Sequence, residues 1–199
     1  MNLIFLLTLI ILLFYFILEN REPFSSMELH NIYDEPLQSC REGNMSSGSW
    51  DDTGKCSELG GGVHQICIKN IAKSTPNFSK NTGQSNWSDE RGSDNHCVCL
   101  GAWSLYQAQN KPSPNQKVLK CESIPKVALS KNYVSKFSEG WNKWNGLELN
   151  NQIKNGVEGL FNNCYLAGTP KGEALKKNYC QFASEVNALR NSELFREMC

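Results

Sequence analysis

Nine cysteines, at positions 40, 56, 67, 97, 99, 121, 164, 180 and 199, constrain this chain of 199 residues more than any other feature. They punctuate stretches that have little else to fold with. Residues 41–62 and 70–95 are rich in Gly, Ser, Asn and Asp and poor in apolar groups. Fixing each residue costs on the order of 1–2 kcal/mol of conformational entropy, so such segments need support beyond burial. Cysteines supply it through disulfides or through metal ligation. The odd number leaves at least one thiol unpaired, or paired between chains.

The first eighteen residues decide the compartment. From Leu3 to Leu18 the chain is apolar except for Thr8, and no charge precedes Glu19. As a helix, 1–18 would span roughly 27 Å, close to the thickness of a bilayer core. A cleavable signal peptide would carry a basic start and small residues at a cleavage point. The sequence has neither, and Phe24-Ser25-Ser26 is a poor substitute. The segment therefore reads as an uncleaved anchor in contact with lipid through residues 2–18, making this a single-pass membrane protein. A cleaved signal and a buried helix are the competing readings. An oxidising face suits the cysteines. It also suits the sequons at Asn44, Asn77 and Asn86, although with 22 Asn in the chain some sequons arise by chance.

Charge is balanced overall but unevenly spread. Residues 19–110 carry 12 acidic and 7 basic side chains, 111–144 carry 7 Lys against 2 Glu, and 145–199 carry 6 of each. The Lys residues are dispersed, so a solvated face is favoured over an anion-binding surface. Nothing approaches the basic excess of a nucleic-acid binder.

The pattern of apolar residues predicts an α+β fold. Residues 1–18 form the transmembrane helix and 19–30 a juxtamembrane linker. Residues 31–144 form a small, irregular, loop-rich domain with a short sheet and short helices, and 145–199 a C-terminal helical hairpin. Alternation over 63–68 predicts a strand placing His64, Ile66 and Ile68 on one face and Cys67 on the other. A second strand is expected around Cys97-Val98-Cys99, a short helix over 102–108 ended by Pro112 and Pro114, and further strands at Val118-Leu119 and at Val127-Ala128-Leu129. Spacings of 3 and 4 predict helices over 132–144, 147–161 and 172–195, with 70–95 as one long irregular segment. If the last two helices pack antiparallel, Cys164 and Cys180 are the natural clasp. The competing arrangement pairs either with Cys199, or with Cys121.

In order along the chain stand Pro36-Leu37-Gln38-Ser39-Cys40, then Gly48-Ser49-Trp50 through Cys56, Val63 through Cys67, and Phe78-Ser79. Cys97-Val98-Cys99-Leu100-Gly101-Ala102-Trp103 and the Pro-rich stretch into Val118-Leu119 follow. Over roughly 31–140 this order resembles the DUF2237 family of small, mostly bacterial proteins. The resemblance implies a domain rather than a mechanism, because the family's role is not established. The chain departs from the family pattern in its membrane segment, in its C-terminal extension and in the wording of 79–95. It also has Glu122-Ser123-Ile124 where the family shows Thr-His after the cysteine.

Among residues that carry chemistry, His96 with Cys97 and Cys99 is the best metal candidate, with Cys56, Cys67 and His64 completing a zinc-type set of thiolate and imidazole. Residues i and i+2 of a strand share a face, which suits two ligands and two disulfide partners equally. Structural disulfides are the favoured reading, ahead of a zinc site or buried free thiols. The Cys-x-x-Cys motif of redox enzymes is absent from the sequence. Asp51, Asp52 and Asp94 supply acids, but no spacing assembles them with a nucleophile and base. Gly60-Gly61-Gly62 lacks the context of a phosphate loop and reads as a turn. Trp141 and Trp144 around Lys143 suit either core packing or a contact surface, and Trp103 suits packing of the short helix on the sheet. The leading functional expectation is a structural or scaffolding membrane protein with protein partners and no cofactor. Its Asn-rich, Lys-over-Arg composition fits a minor virion protein of a large DNA virus at an internal membrane. The alternative is a metal- or thiol-dependent enzyme.

Overall fold

A computed structural model describes residues 30–41, 53–56, 64–110, 117–131 and 149–199. The anchor expected at 1–18, the linker, Asn44, Asp51, Asp52, Gly60–Gly62, the helix expected over 132–144 and its Trp141, Lys143 and Trp144 lie outside the described residues. Among the described residues no helix is long and apolar enough to cross a membrane.

The ordered elements run β1 (Ile66–Ile68), α1 (Ile71–Ser74), α2 (Phe78–Asn81), β2 (His96–Val98), α3 (Leu100–Gln109), α4 (Leu149–Cys164), α5 (Pro170–Glu185), α6 (Asn187–Arg190) and α7 (Glu193–Met198). Single 3-10 turns lie at Asp89–Arg91, Cys121–Ser123 and Lys126–Leu129. The α+β expectation holds: a two-stranded antiparallel sheet sits against helices in one core.

β1 and β2 pair with Ile66 opposite Val98, Cys67 opposite Cys97 and Ile68 opposite His96. Alternation puts Ile66 and Ile68 on one face of β1 and Cys67 on the other, and both faces are covered: all six strand residues are buried. Val118-Leu119 contributes one bridge, Leu119 to Ile68, rather than a strand. Its backbone closes the other edge of β1, with Lys69 N–H donating to Val118 O (2.8 Å) and Lys120 N–H to Cys67 O (3.0 Å).

α3 is the central helix, and most of its side chains are buried, Trp103 completely. α4 lies along it through two glycines. A Cβ on Gly156 would overlap the Ser104 side chain, and one on Gly159 would stand 2.6 Å from Gln107 Oε1. The close approach lets Trp103 Nε1–H donate to Gly156 O (2.9 Å). Trp103 thus packs α3 against α4 as well as within the core around the sheet. Ile153, Val157, Leu160 and Phe161 form the buried stripe of α4 at the predicted spacing. The stripe faces α3 more than α5, so α4 belongs to the main core rather than to a separate hairpin.

Three further expectations are corrected. Residues 70–95 are not irregular throughout: α1, α2 and a 3-10 turn occupy them, anchored by fully buried Ile71 and Phe78. Val127–Leu129 is a 3-10 turn, because Pro125 has no N–H to continue a ladder and its carbonyl instead accepts from Ala128 N–H (3.0 Å). The helix predicted over 172–195 breaks at Val186, which is extended (φ −112°, ψ 112°). Its last turn restarts at Ser192, whose Oγ accepts from Phe195 N–H (3.1 Å) and supplies a new N-cap.

Candidate functional site

Where the loops 37–41 and 53–56 meet the sheet, four cysteines converge. Cys40 is bonded to Cys67 (Cα–Cα 5.8 Å) and Cys56 to Cys97 (Cα–Cα 5.5 Å). Cys67 and Cys97 are ladder partners, and strand alternation turns both to one face. The Sγ atoms of Cys40, Cys56 and Cys67 all lie within 4.8 Å of one another, and the four residues are 0–1% exposed.

The polar loops are placed by backbone contacts. Gly54 sits at φ +77°, and a Cβ there would overlap Arg41 O. This leaves Gly54 O free to accept from Cys40 N–H (2.8 Å) and Arg41 N–H (3.3 Å). Asn95 bridges the next layer: its Nδ2–H donates to Cys40 O (2.8 Å) and its Oδ1 accepts from Asn70 N–H (3.1 Å). Arg41 pairs with Asp94 at 3.0 Å. Nothing in the sequence marks Asn95, and Gly54, six residues before Gly60 and next to Thr53, hints only at a turn.

The expected ligand set does not assemble as a whole. Cys40, absent from the expected set, joins the sulfur cluster. His96 precedes Cys97 on β2, so its side chain points to the opposite face. There it lies 4.7 Å from the Trp87 ring, with Arg91 5.6 Å over the same indole. Burial, then Arg91, His64 and Arg41, push His96 down to about 3. It is therefore neutral at physiological pH. His64 precedes β1 and is half-buried. His30 closes a bridge to Pro36.

Cys99 is not a staple. It caps α3, its Sγ accepting from Ala102 N–H at 3.3 Å. The residue retains some surface, but its thiol is enclosed, and burial pushes it up to about 11. So high a value keeps it protonated and a poor nucleophile.

The remaining cysteines take the competing arrangement. Cys164 pairs with Cys121 (Cα–Cα 5.7 Å) and Cys180 with Cys199 (Cα–Cα 5.6 Å), and the Cys164–Cys180 clasp is not formed. The physical reason is the orientation of α4. Its end abuts the 3-10 turn at Cys121–Ser123, where Tyr33 O–H also donates to Cys164 O (2.7 Å). Burial, with Glu122 and Glu35 adding to it, raises the Tyr33 phenol well above its ordinary value. Lys171 closes this corner, 3.0 Å from Glu35, 3.5 Å from Glu122 and 5.4 Å from the Tyr33 ring.

The Lys-rich stretch is partly spoken for by the protein itself. Lys117 donates to Asn162 O, Lys120 to Ser39 O (2.7 Å) and Lys126 to Asp34 (2.6 Å). Asn77 and Asn86 are exposed, while the serines that complete their sequons, Ser79 and Ser88, are fully buried.

No family model matches the chain, and no curated protein and no solved structure matches it.

Proposed function

We propose that this protein is a membrane-anchored structural or scaffolding protein that presents a disulfide-stapled domain to protein partners on an oxidising face. The observation that carries the reading is the disulfide pattern. Cys40–Cys67 and Cys56–Cys97 pin the polar loops to the sheet, Cys121–Cys164 pins the 3-10 turn to α4, and Cys180–Cys199 pins the chain end to α5. Each bridge ties a segment with little apolar surface to one that is well packed, as expected of structural cross-links in small extracytosolic domains. Supporting the same reading, the most buried imidazole and the unbridged thiol are held in their neutral forms, His96 near 3 and Cys99 near 11. A thiol-dependent enzyme would need the opposite shift at its cysteine.

The apolar run at 1–18 is the anchor in this reading, and a single pass follows from it. Asn-rich, Lys-over-Arg composition favours a minor component of an internal virion or host membrane. Kinship with the DUF2237 family over roughly 31–140 is part of the proposal, resting on the order of the cysteine-bearing segments.

The test uses the full chain expressed in cells with a secretory pathway. Carbonate washing should leave it in the membrane pellet, and peptide mapping without reduction should recover the four bridges. Release by carbonate, or alkylation of all nine cysteines in the native protein, would overturn the proposal.

A further inference from the structure

We infer that the reduced form of this domain holds one divalent zinc-like ion through Cys40, Cys56, Cys67 and Cys97, so that the same four cysteines are two bridges when oxidised and a metal centre when reduced. The geometry starts from sulfurs already gathered. Three Sγ atoms lie within 4.8 Å of one another and Cys97 is bonded to one of them. A tetrahedral site with Zn–S bonds near 2.3 Å has sulfur–sulfur edges of about 3.8 Å. The four backbones already stand at bridging distance, with Cα separations of 5.8 Å for Cys40–Cys67 and 5.5 Å for Cys56–Cys97. Those backbones are fixed by contacts that do not involve sulfur: the β1–β2 ladder, the two bonds to Gly54 O and the Asn95 bridge.

The four cysteines come from three segments, 37–41, 53–56 and the paired strands, and all are buried. A set that excludes water is closed, which is the character of a structural site rather than a catalytic one. The electron count closes. A dithiol reductant delivers four electrons and four protons to the two bridges, giving four thiols and leaving the reductant as disulfides. The ion then displaces four protons and is held by four thiolates with a net charge of two minus. Arg41 and Lys55 are next in sequence to Cys40 and Cys56, and Lys120 N–H donates to Cys67 O (3.0 Å), so basic residues adjoin three of the four cysteines. His64, His96 and Cys99 are not ligands in this set.

The experiment takes the full-length chain in detergent, reduces it with a phosphine under anaerobic conditions, and adds cobalt(II) or zinc(II) before gel filtration. One equivalent of ion should be retained, with a thiolate-to-cobalt charge-transfer band. Alkylation followed by peptide mapping should then find Cys40, Cys56, Cys67 and Cys97 modified about tenfold or more slowly than Cys121, Cys164, Cys180 and Cys199. The Cys121→Ser/Cys164→Ser variant should retain the ion, and Cys40→Ser/Cys67→Ser should lose it. Two results overturn the inference: a reduced chain that retains no ion, whether folded or not, or retention in which a different set of cysteines is protected. Failure here would leave the anchored, disulfide-bearing reading standing, because that reading concerns the oxidised protein.

Discussion

Ser79 and Ser88 hold each other through both of their hydroxyls and both of their amides. The two Oγ atoms are 3.0 Å apart, Ser79 N–H donates to Ser88 Oγ (3.0 Å) and Ser88 N–H donates to Ser79 Oγ (3.1 Å). Both residues are fully buried. This clasp closes the loop from α2 to the 3-10 turn at Asp89–Arg91 with no cysteine in it. Ser79→Ala removes an acceptor and strands a buried N–H, which costs about 1–3 kcal/mol. Ser88→Ala should cost the same, and the double variant should cost less than the sum, because both changes break one network. Denaturant unfolding of protein made in bacteria, free of glycans, measures all three. Strict additivity would show that the two hydroxyls do not act as a pair.

The α3–α4 contact depends on two missing side chains. Gly156→Ala drives a methyl into Ser104, and overpacking of this kind typically costs 1–3 kcal/mol. Ser104→Gly placed behind it should recover part of the loss. Thermal unfolding of the single and paired variants checks the direction. A Gly156→Ala protein as stable as the parent would mean the helices have room to spare.

His96 makes stability depend on pH in a defined window. Its folded value near 3 lies below the ordinary 6.5, so the unfolded chain binds the extra proton between those two values. Stability from this group is fully present above about 6.5 and is lost as pH falls toward 3. The slope is at most about 1.4 kcal/mol per pH unit. Carboxylates titrate in the lower part of the same window, so the comparison is with His96→Phe. Stability of the variant, measured by urea unfolding from pH 7 to 4, should fall less steeply than the parent's by up to about one proton's worth. Equal slopes would place the imidazole in water rather than under Trp87.

How much of this was legible follows from what kind of signal each part carries. The α4 stripe is a spacing signal, legible because helix periodicity survives wherever one face is buried, whereas α3, buried on most of its side chains, is legible only as an apolar run ended by Pro112 and Pro114. Convergence of Cys56, Cys67 and Cys97 was readable from the strands that bear two of them. The pairing is not, since it depends on which loop reaches which strand, and Cys99 has the look of a strand residue but opens a helix. The order in 70–95 was hidden for a different reason. It rests on side-chain-to-backbone bonds, Thr75 Oγ1–H to Ile71 O (2.9 Å) and Thr82 Oγ1–H to Phe78 O (3.0 Å), in a composition that otherwise reads as loop. The break at Val186 was equally silent. Periodicity runs through it into α6, and the capping ability of Ser192 marks only the later start of α7.

Cys97 and Cys99 should respond oppositely to the same change, although one residue separates them. Cys97→Ser frees Cys56, opens a bridge between residues 41 apart in sequence, and leaves a buried hydroxyl against sulfur. On the loop-entropy model the bridge alone is worth roughly 4 kcal/mol. Cys99→Ser exchanges a weak sulfur acceptor at the N-cap of α3 for the oxygen that this position prefers. It should leave all four bridges in place and change stability by less than about 1 kcal/mol, in the stabilising direction. Native-state proteolysis and non-reduced peptide mapping of the two variants settle the assignment. Early cleavage near 53–56 should appear in Cys97→Ser and not in Cys99→Ser. If both variants are cut at the same rate, Cys99 is holding the loops after all, and its role as a helix cap is wrong.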